Sequence, residues 1–276
     1  MADIIQRLNG IPFRLKTAFD FGFLQKYGTV FGVFDDQDSG NICFGTERNG
    51  ERYFLKFAGA PTAEYDGTAE STVLRLKAAL PVYEALRHPN LIEYLGCEEI
   101  GGGVLAVFRW TDARCMGRMY PEDRAAFFSL PLRKRVRVFE EILDFLAHTA
   151  AKGWLAVDFY DSSIMYDFAA EKTIICDIDF FRPLPGVNDM GRMWGSGKFM
   201  SPEEFTRGAA LDEVTNVYTA GAMAFALFSD FDRSPAVWPL SEAAYRAVSR
   251  AIHRDRAKRQ QSIRELIMEW KDASYV

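Results

Sequence analysis

Cysteine and histidine are scarce in this sequence, and neither is spaced like a set of metal ligands or a set of disulfide-bonded pairs. The 276 residues contain four cysteines and three histidines. The cysteines are widely scattered with no CxxC pair, which excludes a disulfide scaffold and a zinc site and is typical of a reducing compartment. Three histidines also argue against histidine-rich metal chemistry. The scattered cysteines are Cys43, Cys97, Cys115 and Cys176.

Long apolar runs and targeting segments are also lacking. The N-terminal residues have no basic stretch followed by an apolar one, so no signal peptide is recognisable. The most apolar stretch, residues 220–228, is too short to span a bilayer. The sequence has no internal repeat and no Pro-, Gly- or Ser-rich linker. We therefore expect a cytoplasmic protein without a membrane partner.

The chain is rich in core-forming residues and has a mild acidic excess. Hydrophobic residues make up 49 % and aromatic residues 14 %, which suits one large domain or two small lobes. The 33 basic and 38 acidic side chains give a net charge of −5. Because nucleic-acid binding needs a basic surface that displaces phosphate counterions, we expect no nucleic-acid partner.

Strand patterns dominate the first half of the sequence. Asn49-Gly50 suits the left-handed positions of a tight hairpin. Residues 69–86 have helical composition, and Pro81 should kink or split that helix. Aromatic residues in the leader, residues 1–27, indicate that it either packs on a lobe or forms a dimer contact. The predicted strands are residues 29–34, 42–45, 53–57 and 104–110.

Helical patterns dominate the second half. Apolar residues recur at three- and four-residue steps over residues 132–146, which marks one buried helix face. Residues 217–228 are apolar on every side and predict a helix at the centre of a domain. The last helix should begin at Ser262, with Glu265 three residues on as in a capping box. A β-rich half followed by a helical half predicts the α+β class, with a boundary near residues 109–113.

Charged residues in apolar surroundings are the candidate functional residues. Lys56 lies within an apolar strand, where it is either an edge-strand lysine in solvent or a group that faces bound phosphates. Asp158 stands in the apolar run Ala-Val-Asp-Phe-Tyr. If residues 174–179 are extended, Asp177 and Asp179 point to one face. They could then share a divalent cation, unless a basic neighbour neutralises one of them.

These residues occur in an order that resembles the protein kinases from Thr29 onward. The strand containing Lys56 looks like the one that ends in the ATP-phosphate lysine. Asp158 takes the place of the catalytic-loop aspartate, and Asp177 that of the magnesium aspartate. Arg259 matches the arginine that, in the family, pairs with the glutamate found here at Glu203. The other segments similar to family motifs are Leu86-Arg87-His88-Pro89-Asn90-Leu91-Ile92, Ser201-Pro202-Glu203 and Asn216-Val217-Tyr218-Thr219-Ala220-Gly221.

The resemblance implies a two-lobed fold with ATP and Mg²⁺ (or Mn²⁺) as cofactors. Residues 28–110 would form a small β-rich N-lobe and residues 111–276 a larger helical C-lobe. Residues 1–27 would pack on a lobe. ATP would then lie in the cleft of a protein kinase-like fold.

The resemblance also implies which residues contact the nucleotide. Lys56 would hold the ATP phosphates as a point charge. Gly40 and Ile42 fit the end of the glycine-rich phosphate loop. The adenine edge would meet backbone groups at Arg109 and Thr111.

The chemistry implied is that of a serine/threonine protein kinase-like transferase, which passes the γ-phosphate of ATP to a hydroxyl. Asp158 would orient the hydroxyl and take its proton. Asp177 would bind the magnesium ion. We expect Ser163, which replaces an asparagine of the family, and Asp179 to supply further oxygen ligands.

Departures from the family leave two alternatives open. Asp35 and Gln37 stand where the family has glycines of the phosphate loop. Ala79 stands where the regulatory helix has a glutamate. Together with Ser163, these departures favour a pseudokinase, a regulatory or binding module with weak or no ATP use. Val157 replaces the arginine before the catalytic aspartate, which favours instead a kinase of small molecules.

Overall fold

The structure, a computed structural model, describes residues 3–100 and 102–273 and belongs to the α+β class with antiparallel sheets. The chain divides into two compact units. Unit 1 comprises Met1–Arg87 and Ile92–Asp112, and unit 2 comprises His88–Leu91 and Ala113–Val276. Within the described ranges, no helix combines the length and the apolar character needed to cross a membrane.

Unit 1 is built on an antiparallel sheet of five strands. Its elements are β1 (Ile4–Leu8), β2 (Ile11–Leu15), β3 (Thr29–Phe34), β4 (Asn41–Arg48), β5 (Glu51–Ala58), α1 (Ala69–Ala85), β6 (Tyr94–Ile100) and β7 (Gly103–Arg109). Strands β1 and β2 form a separate hairpin. The other five lie in the order β3-β4-β5-β7-β6, so β5 is at the centre of the sheet.

The predicted strands of unit 1 are confirmed with slightly different bounds. Asn49 and Gly50 join β4 to β5, and their φ angles of 55° and 80° are those that a tight hairpin needs. The sequence patterns did not predict β1, β2 and β6. In β6 the pairing register shifts between Tyr94 and Gly96, which interrupts the alternation that identifies a strand.

Helix α1 runs without interruption over 17 residues, so the predicted split at Pro81 is wrong. A proline removes one backbone donor, which here leaves the carbonyl of Lys77 without its intrahelical partner. Pro81 lies on the exposed side of the helix. Water can therefore bind that carbonyl, and the helix continues through Pro81 to its end.

The two faces of the five-stranded sheet have different neighbours. One face carries Phe44 and Phe57, and the leader covers it. The ring of Phe21 lies 5.2 Å from that of Phe44 and 6.1 Å from that of Phe57. On the opposite face, Tyr83 of α1 packs on Phe108 with ring centroids 5.0 Å apart. The sheet is thus enclosed by the leader on one side and by α1 on the other.

Unit 2 is mainly helical, with short strands that shape its loops. Its elements are β8 (Arg114–Cys115), α2 (Pro121–Phe128), α3 (Leu132–Ala151), β9 (Trp154–Leu155), β10 (Ile164–Asp167), β11 (Lys172–Ile175), β12 (Arg182–Pro183), β13 (Gly186–Val187), β14 (Ala210–Leu211), α4 (Glu213–Ser229), α5 (Glu242–Ala251) and α6 (Ile263–Asp272). Strands β11, β10 and β8 form one antiparallel sheet in that order.

The three helices predicted in the second half are confirmed. Helix α4 is buried continuously over residues 214–228, as its uniformly apolar sequence requires. Trp270 of α6 contacts Phe139 of α3 with ring centroids 4.7 Å apart. Ser262 caps α6 by accepting a hydrogen bond from the backbone N–H of Glu265 at 3.1 Å. These helices form the base that carries the loops described next.

Candidate active site

Lys56 is almost completely buried at the centre of the unit 1 sheet, with 9 % of its surface exposed. Its partners across the sheet are Cys43 on β4 and Ala106 on β7. The alternative of an edge-strand lysine is therefore wrong, because β5 has a strand on each side. Burying an ammonium group is costly unless an anion or other polar partner meets it.

Gly40 and Ile42 do not both lie beside Lys56. Ile42 is fully buried in the core under the leader. Because side chains alternate along a strand, Cys43, the direct partner of Lys56, occupies the Lys56 face instead. Gly40 has φ of 78°, and a Cβ there would lie 2.5 Å from atoms of Tyr65. Ile42 and Lys56 therefore lie on opposite faces of the sheet.

The acidic loop between β3 and β4 is held by basic residues of unit 1. The carboxylate of Asp35 accepts a hydrogen bond from the backbone N–H of Arg14 at 2.6 Å. The Arg14 guanidinium lies 3.6 Å from the same carboxylate. At the other end of the loop, Arg75 donates to the carbonyl of Ser39 at 2.8 Å. The leader therefore offsets part of the acidic charge that the sequence places in this loop.

Arg109 and Thr111 stand at the end of β7 and just beyond it. The backbone N–H of Arg109 donates to the carbonyl of Glu93 at 2.9 Å. Its guanidinium lies 3.4 Å from the Glu93 carboxylate and packs over the ring of Tyr53. That N–H is already bonded within the sheet, so the predicted contact of Arg109 with adenine would have to use its carbonyl oxygen.

In unit 2, the segment carrying Asp158 is fixed by a residue 60 positions away. The side chain of Asn216 on α4 accepts a hydrogen bond from the backbone N–H of Ala156 at 2.9 Å and donates to its carbonyl at 2.8 Å. Phe159 anchors the other side of the segment and packs on Phe181, with ring centroids 6.0 Å apart. Asp158 itself is half-buried and has φ of 59°, in the left-handed region.

Hydrogen bonds from Cys176 to Ser163 join the end of the Asp158 segment to the segment that carries Asp177. The backbone N–H of Cys176 donates to the carbonyl of Ser163 at 2.9 Å. Both residues stand at the ends of paired strands, Ser163 before β10 and Cys176 after β11. The structure therefore brings Ser163 close to the start of the Asp177 segment.

Asp177 and Asp179 do not lie on one face of a strand. Strand β11 ends at Ile175, and Asp177 has φ of 53°, so the chain turns at this residue. Asp177 is exposed, whereas Asp179 is buried with 8 % of its surface accessible. The expectation of an extended segment with two parallel carboxylates is therefore wrong, because the left-handed residue breaks the alternation of a strand.

A buried ion pair and a partly buried thiol adjoin the chain that follows Asp158. The buried carboxylate of Asp161 accepts a hydrogen bond from Arg124 at 2.9 Å. Burial raises the pKa of Asp161, although the charge of Arg124 acts to lower it. Burial raises the pKa of the Cys115 thiol to about 11, and the charges of Asp161 and Asp177 add to the shift. Sequence reasoning missed Asp161 and Arg124, although an aspartate three residues after Asp158 was a visible signal.

The side chains expected to bind magnesium carry oxygen atoms of a kind that this ion accepts. Among the described residues, no group of three or more His, Cys, Asp and Glu side chains is arranged to hold a metal ion. Mg²⁺ does not need such a group, since it commonly binds one or two protein carboxylates together with waters and substrate phosphates. Asp177, Asp179 and Ser163 offer carboxylate and hydroxyl oxygens of the required kind.

The end of the predicted activation segment is held by the expected ion pair. Arg259 is completely buried and makes two hydrogen bonds to Glu203, at 2.7 Å and 3.0 Å. The hydroxyl of Thr215 also donates to Glu203 at 3.2 Å. The pairing of Arg259 with Glu203 is thus confirmed. It joins residues 56 positions apart and fixes the segment against α4.

The neighbouring Glu204 is buried in a different environment. Its carboxylate accepts hydrogen bonds from the backbone N–H and the hydroxyl of Ser201, at 2.6 Å and 2.9 Å. Burial raises the pKa of Glu204 to about 7. Ser201 is fully buried beside it, so its hydroxyl is closed to modification in this conformation.

We expect Glu204→Gln to remove part of the pH dependence of stability. A raised carboxyl pKa means that the folded protein holds the proton more tightly than the unfolded chain. The stabilisation is therefore complete below about pH 4.5 and is lost as the pH rises to about 7, a change of about 3 kcal/mol. Urea unfolding at pH 5 and pH 8 measures it. The exposed Glu242→Gln is the control, and equal pH dependence of all three proteins would contradict the prediction.

Neither protein-family models nor curated proteins provide a relative of this chain. No model of a protein family matches the chain. A search of curated proteins finds no significant match. The site therefore has to be interpreted from its own residues.

Proposed function

We propose that this protein is an ATP-dependent phosphotransferase with a two-lobed, protein kinase-like fold. The observation that carries the proposal is the pairing of the Asp158 and Asp177 segments through Ser163 and Cys176. Both aspartates have left-handed backbone conformations, which are costly for residues other than glycine and are concentrated at functional sites. Two such carboxylates on neighbouring segments suit phosphoryl transfer better than a purely structural role.

Unit 1 would supply the phosphate-binding group. Lys56 is a buried cation on the sheet face that α1 covers, and Gly40 keeps the adjoining loop close to Tyr65. A lysine binds phosphate as a point charge, and the attraction between the two charges is stronger where water is excluded. The boundaries that we propose for the lobes are residues 28–110 and 111–276, with residues 1–27 packed on the first.

Unit 2 would supply the base and the metal ligands. Asp158 would orient the acceptor hydroxyl and take its proton while the hydroxyl oxygen bonds to the γ-phosphorus and the bond to the ADP oxygen breaks. Asn216 would hold the Asp158 segment in place through Ala156. Asp177, with Asp179 and Ser163, would hold magnesium, which supplies charge stabilisation for the phosphates.

A protein acceptor is favoured over a small molecule by the pair of Arg259 with Glu203. The resemblance associates this pair with the helical lobe of protein kinases, and its geometry here is bidentate. The second candidate is a pseudokinase. It is favoured by Ala79, which is fully buried on α1 and provides no carboxylate for Lys56.

Nucleotide binding distinguishes an active enzyme from a pseudokinase that does not bind ATP. We expect MgATP to raise the unfolding temperature, since a ligand at 100 times its Kd stabilises a protein by about 2.7 kcal/mol. Lys56→Met should weaken this binding by about tenfold to a hundredfold, because a hydrogen bond between charged groups is lost. The exposed Lys77→Met, which removes a surface pair with Glu99, is the control. An unchanged unfolding temperature of the wild-type protein with MgATP would contradict the proposal.

A further inference from the structure

Two exposed basic side chains pack on one aromatic ring in unit 2, and a third basic residue lies beside one of them. We call this group the Phe231 patch and define it as Arg118, Lys198, Arg233 and Phe231. The Lys198 ammonium lies 4.3 Å from the centroid of the Phe231 ring, and the Arg118 guanidinium lies 5.4 Å from it. Arg233 donates to the carbonyl of Lys198 at 3.4 Å. Segments distant in sequence thus converge on a single basic and aromatic surface.

The backbone holds Phe231 in an unusual conformation. Its φ is 71°, and the preceding residue, Asp230, has φ of 47°. Left-handed conformations are rare for bulky residues and persist only where the surrounding structure imposes them. The N–H of Phe231 donates to the carbonyl of Phe225 on α4 at 3.0 Å, which fixes the turn. The fold therefore presents this ring at a definite position after α4.

The basic groups of the patch differ from their neighbour Arg124 in their salt bridges. Arg124, which also packs over Phe231, binds the carboxylates of Asp161 and Asp230. By contrast, within the part of the chain that the structure describes, Arg118, Lys198 and Arg233 form no salt bridge with a carboxylate. All three are exposed. In a protein with a net charge of −5, this is a local site for an anionic partner.

The patch is connected to the Asp158 segment through aromatic contacts. Tyr160, two residues after Asp158, packs on Phe199 with ring centroids 6.2 Å apart. Phe199 in turn packs on Phe231 at 5.4 Å. Lys198 therefore lies on the same stretch of chain that adjoins the proposed base. A molecule bound at the patch would be close to Asp158.

The surroundings of Arg118 indicate a polypeptide partner. Met119 and Tyr120 follow it directly, with 72 % and 45 % of their surfaces exposed. Methionine, aromatic residues and arginine are the residues enriched at protein–protein interfaces. A small anion would use the charges of the patch but not these apolar neighbours.

We propose that the Phe231 patch binds an acidic segment of a protein acceptor, next to the hydroxyl that is phosphorylated. Carboxylates of the segment would pair with Arg118, Lys198 and Arg233, while an apolar side chain contacts Phe231 and Met119. This specificity rests on the proposed phosphotransferase activity, but the binding itself does not require it.

The test measures binding of a fluorescent Asp- and Glu-rich peptide with a central serine to the full chain by fluorescence anisotropy. The variant Arg118→Gln/Lys198→Gln/Arg233→Gln should bind about tenfold more weakly, because three surface ion pairs are lost. The control Arg133→Gln/Arg254→Gln/Arg264→Gln removes three exposed arginines elsewhere in unit 2 and has the same change in charge. It should bind like the wild type. In a transfer assay, the patch variant should raise KM for the peptide and preserve kcat.

Further binding results test the patch separately from the phosphotransferase activity. Equal affinity of the patch variant and the wild type, or equal binding of a Lys-rich peptide, overturns the proposal. Equal binding of a single-stranded RNA of the same charge also overturns it. A wild-type protein that binds MgATP but not the acidic peptide contradicts the patch alone. Peptide binding that depends on the patch, in a protein that does not bind MgATP, supports the patch and contradicts the phosphotransferase.

Discussion

Asp158→Asn should lower the rate of phosphoryl transfer by about a thousandfold, because a positioned general base typically accounts for a factor of a hundred to ten thousand. Asparagine has nearly the shape of aspartate but cannot take the proton of the acceptor hydroxyl. The bonds of Asn216 to Ala156 hold the segment from outside this side chain, so its position should persist. The change corresponds to about 4 kcal/mol in the activation free energy.

Transfer of labelled γ-phosphate and the thermal shift with MgATP should be measured on the same samples. The variant should keep the MgATP shift of the wild type while losing transfer. Asp66→Asn, at a fully exposed carboxylate of unit 1, is the matched control and should keep both. If Asp158→Asn transfers phosphate at the wild-type rate, Asp158 is not the general base. A loss of the MgATP shift would assign it to binding instead.

Arg259→Leu should destabilise the protein by about 4 kcal/mol, because it leaves the carboxylate of Glu203 buried without its counter-charge. The pair is deeply buried, so solvent does not compensate for its loss. Glu203→Gln/Arg259→Leu leaves no buried charge and should recover part of the stability. This result would show that the cost comes from the isolated carboxylate rather than from lost packing.

Urea unfolding at neutral pH gives the comparison directly. Arg264→Leu, at an exposed arginine on α6, serves as control and should change stability by no more than about 0.5 kcal/mol. An equal loss in Arg259→Leu and in the double variant would contradict this account. It would mean that the guanidinium contributes chiefly through its packing on Tyr218.

Short-range features of the fold could be predicted from sequence because their causes are local. The hairpin at Asn49-Gly50 follows from the left-handed conformations that these residues tolerate. The buried helix α4 follows from its uniformly apolar composition. The start of α6 follows from Ser262 as N-cap. Each depends on residues a few positions apart, and each is confirmed.

The candidate site could be predicted only in part. The position of Lys56 within an apolar strand left open whether this residue is exposed or buried, and it did not show that Cys43 rather than Ile42 would share its face. A shift of one residue in register moves every side chain to the other face, and composition does not specify that shift. Similarly, the spacing of Asp177 and Asp179 suggested a strand, whereas the chain turns at Asp177.

Local sequence patterns were enough to predict the α+β class, four strands of the five-stranded sheet, helices α1, α3, α4 and α6, and the charged residues in apolar surroundings. Contacts between distant residues could not be predicted in this way: Asn216 with Ala156, Arg14 with Asp35, and Lys198 with Phe231. The physical reason is the range of the interactions. Backbone preferences and hydrophobic periodicity act within a few residues, whereas these contacts depend on how whole elements pack.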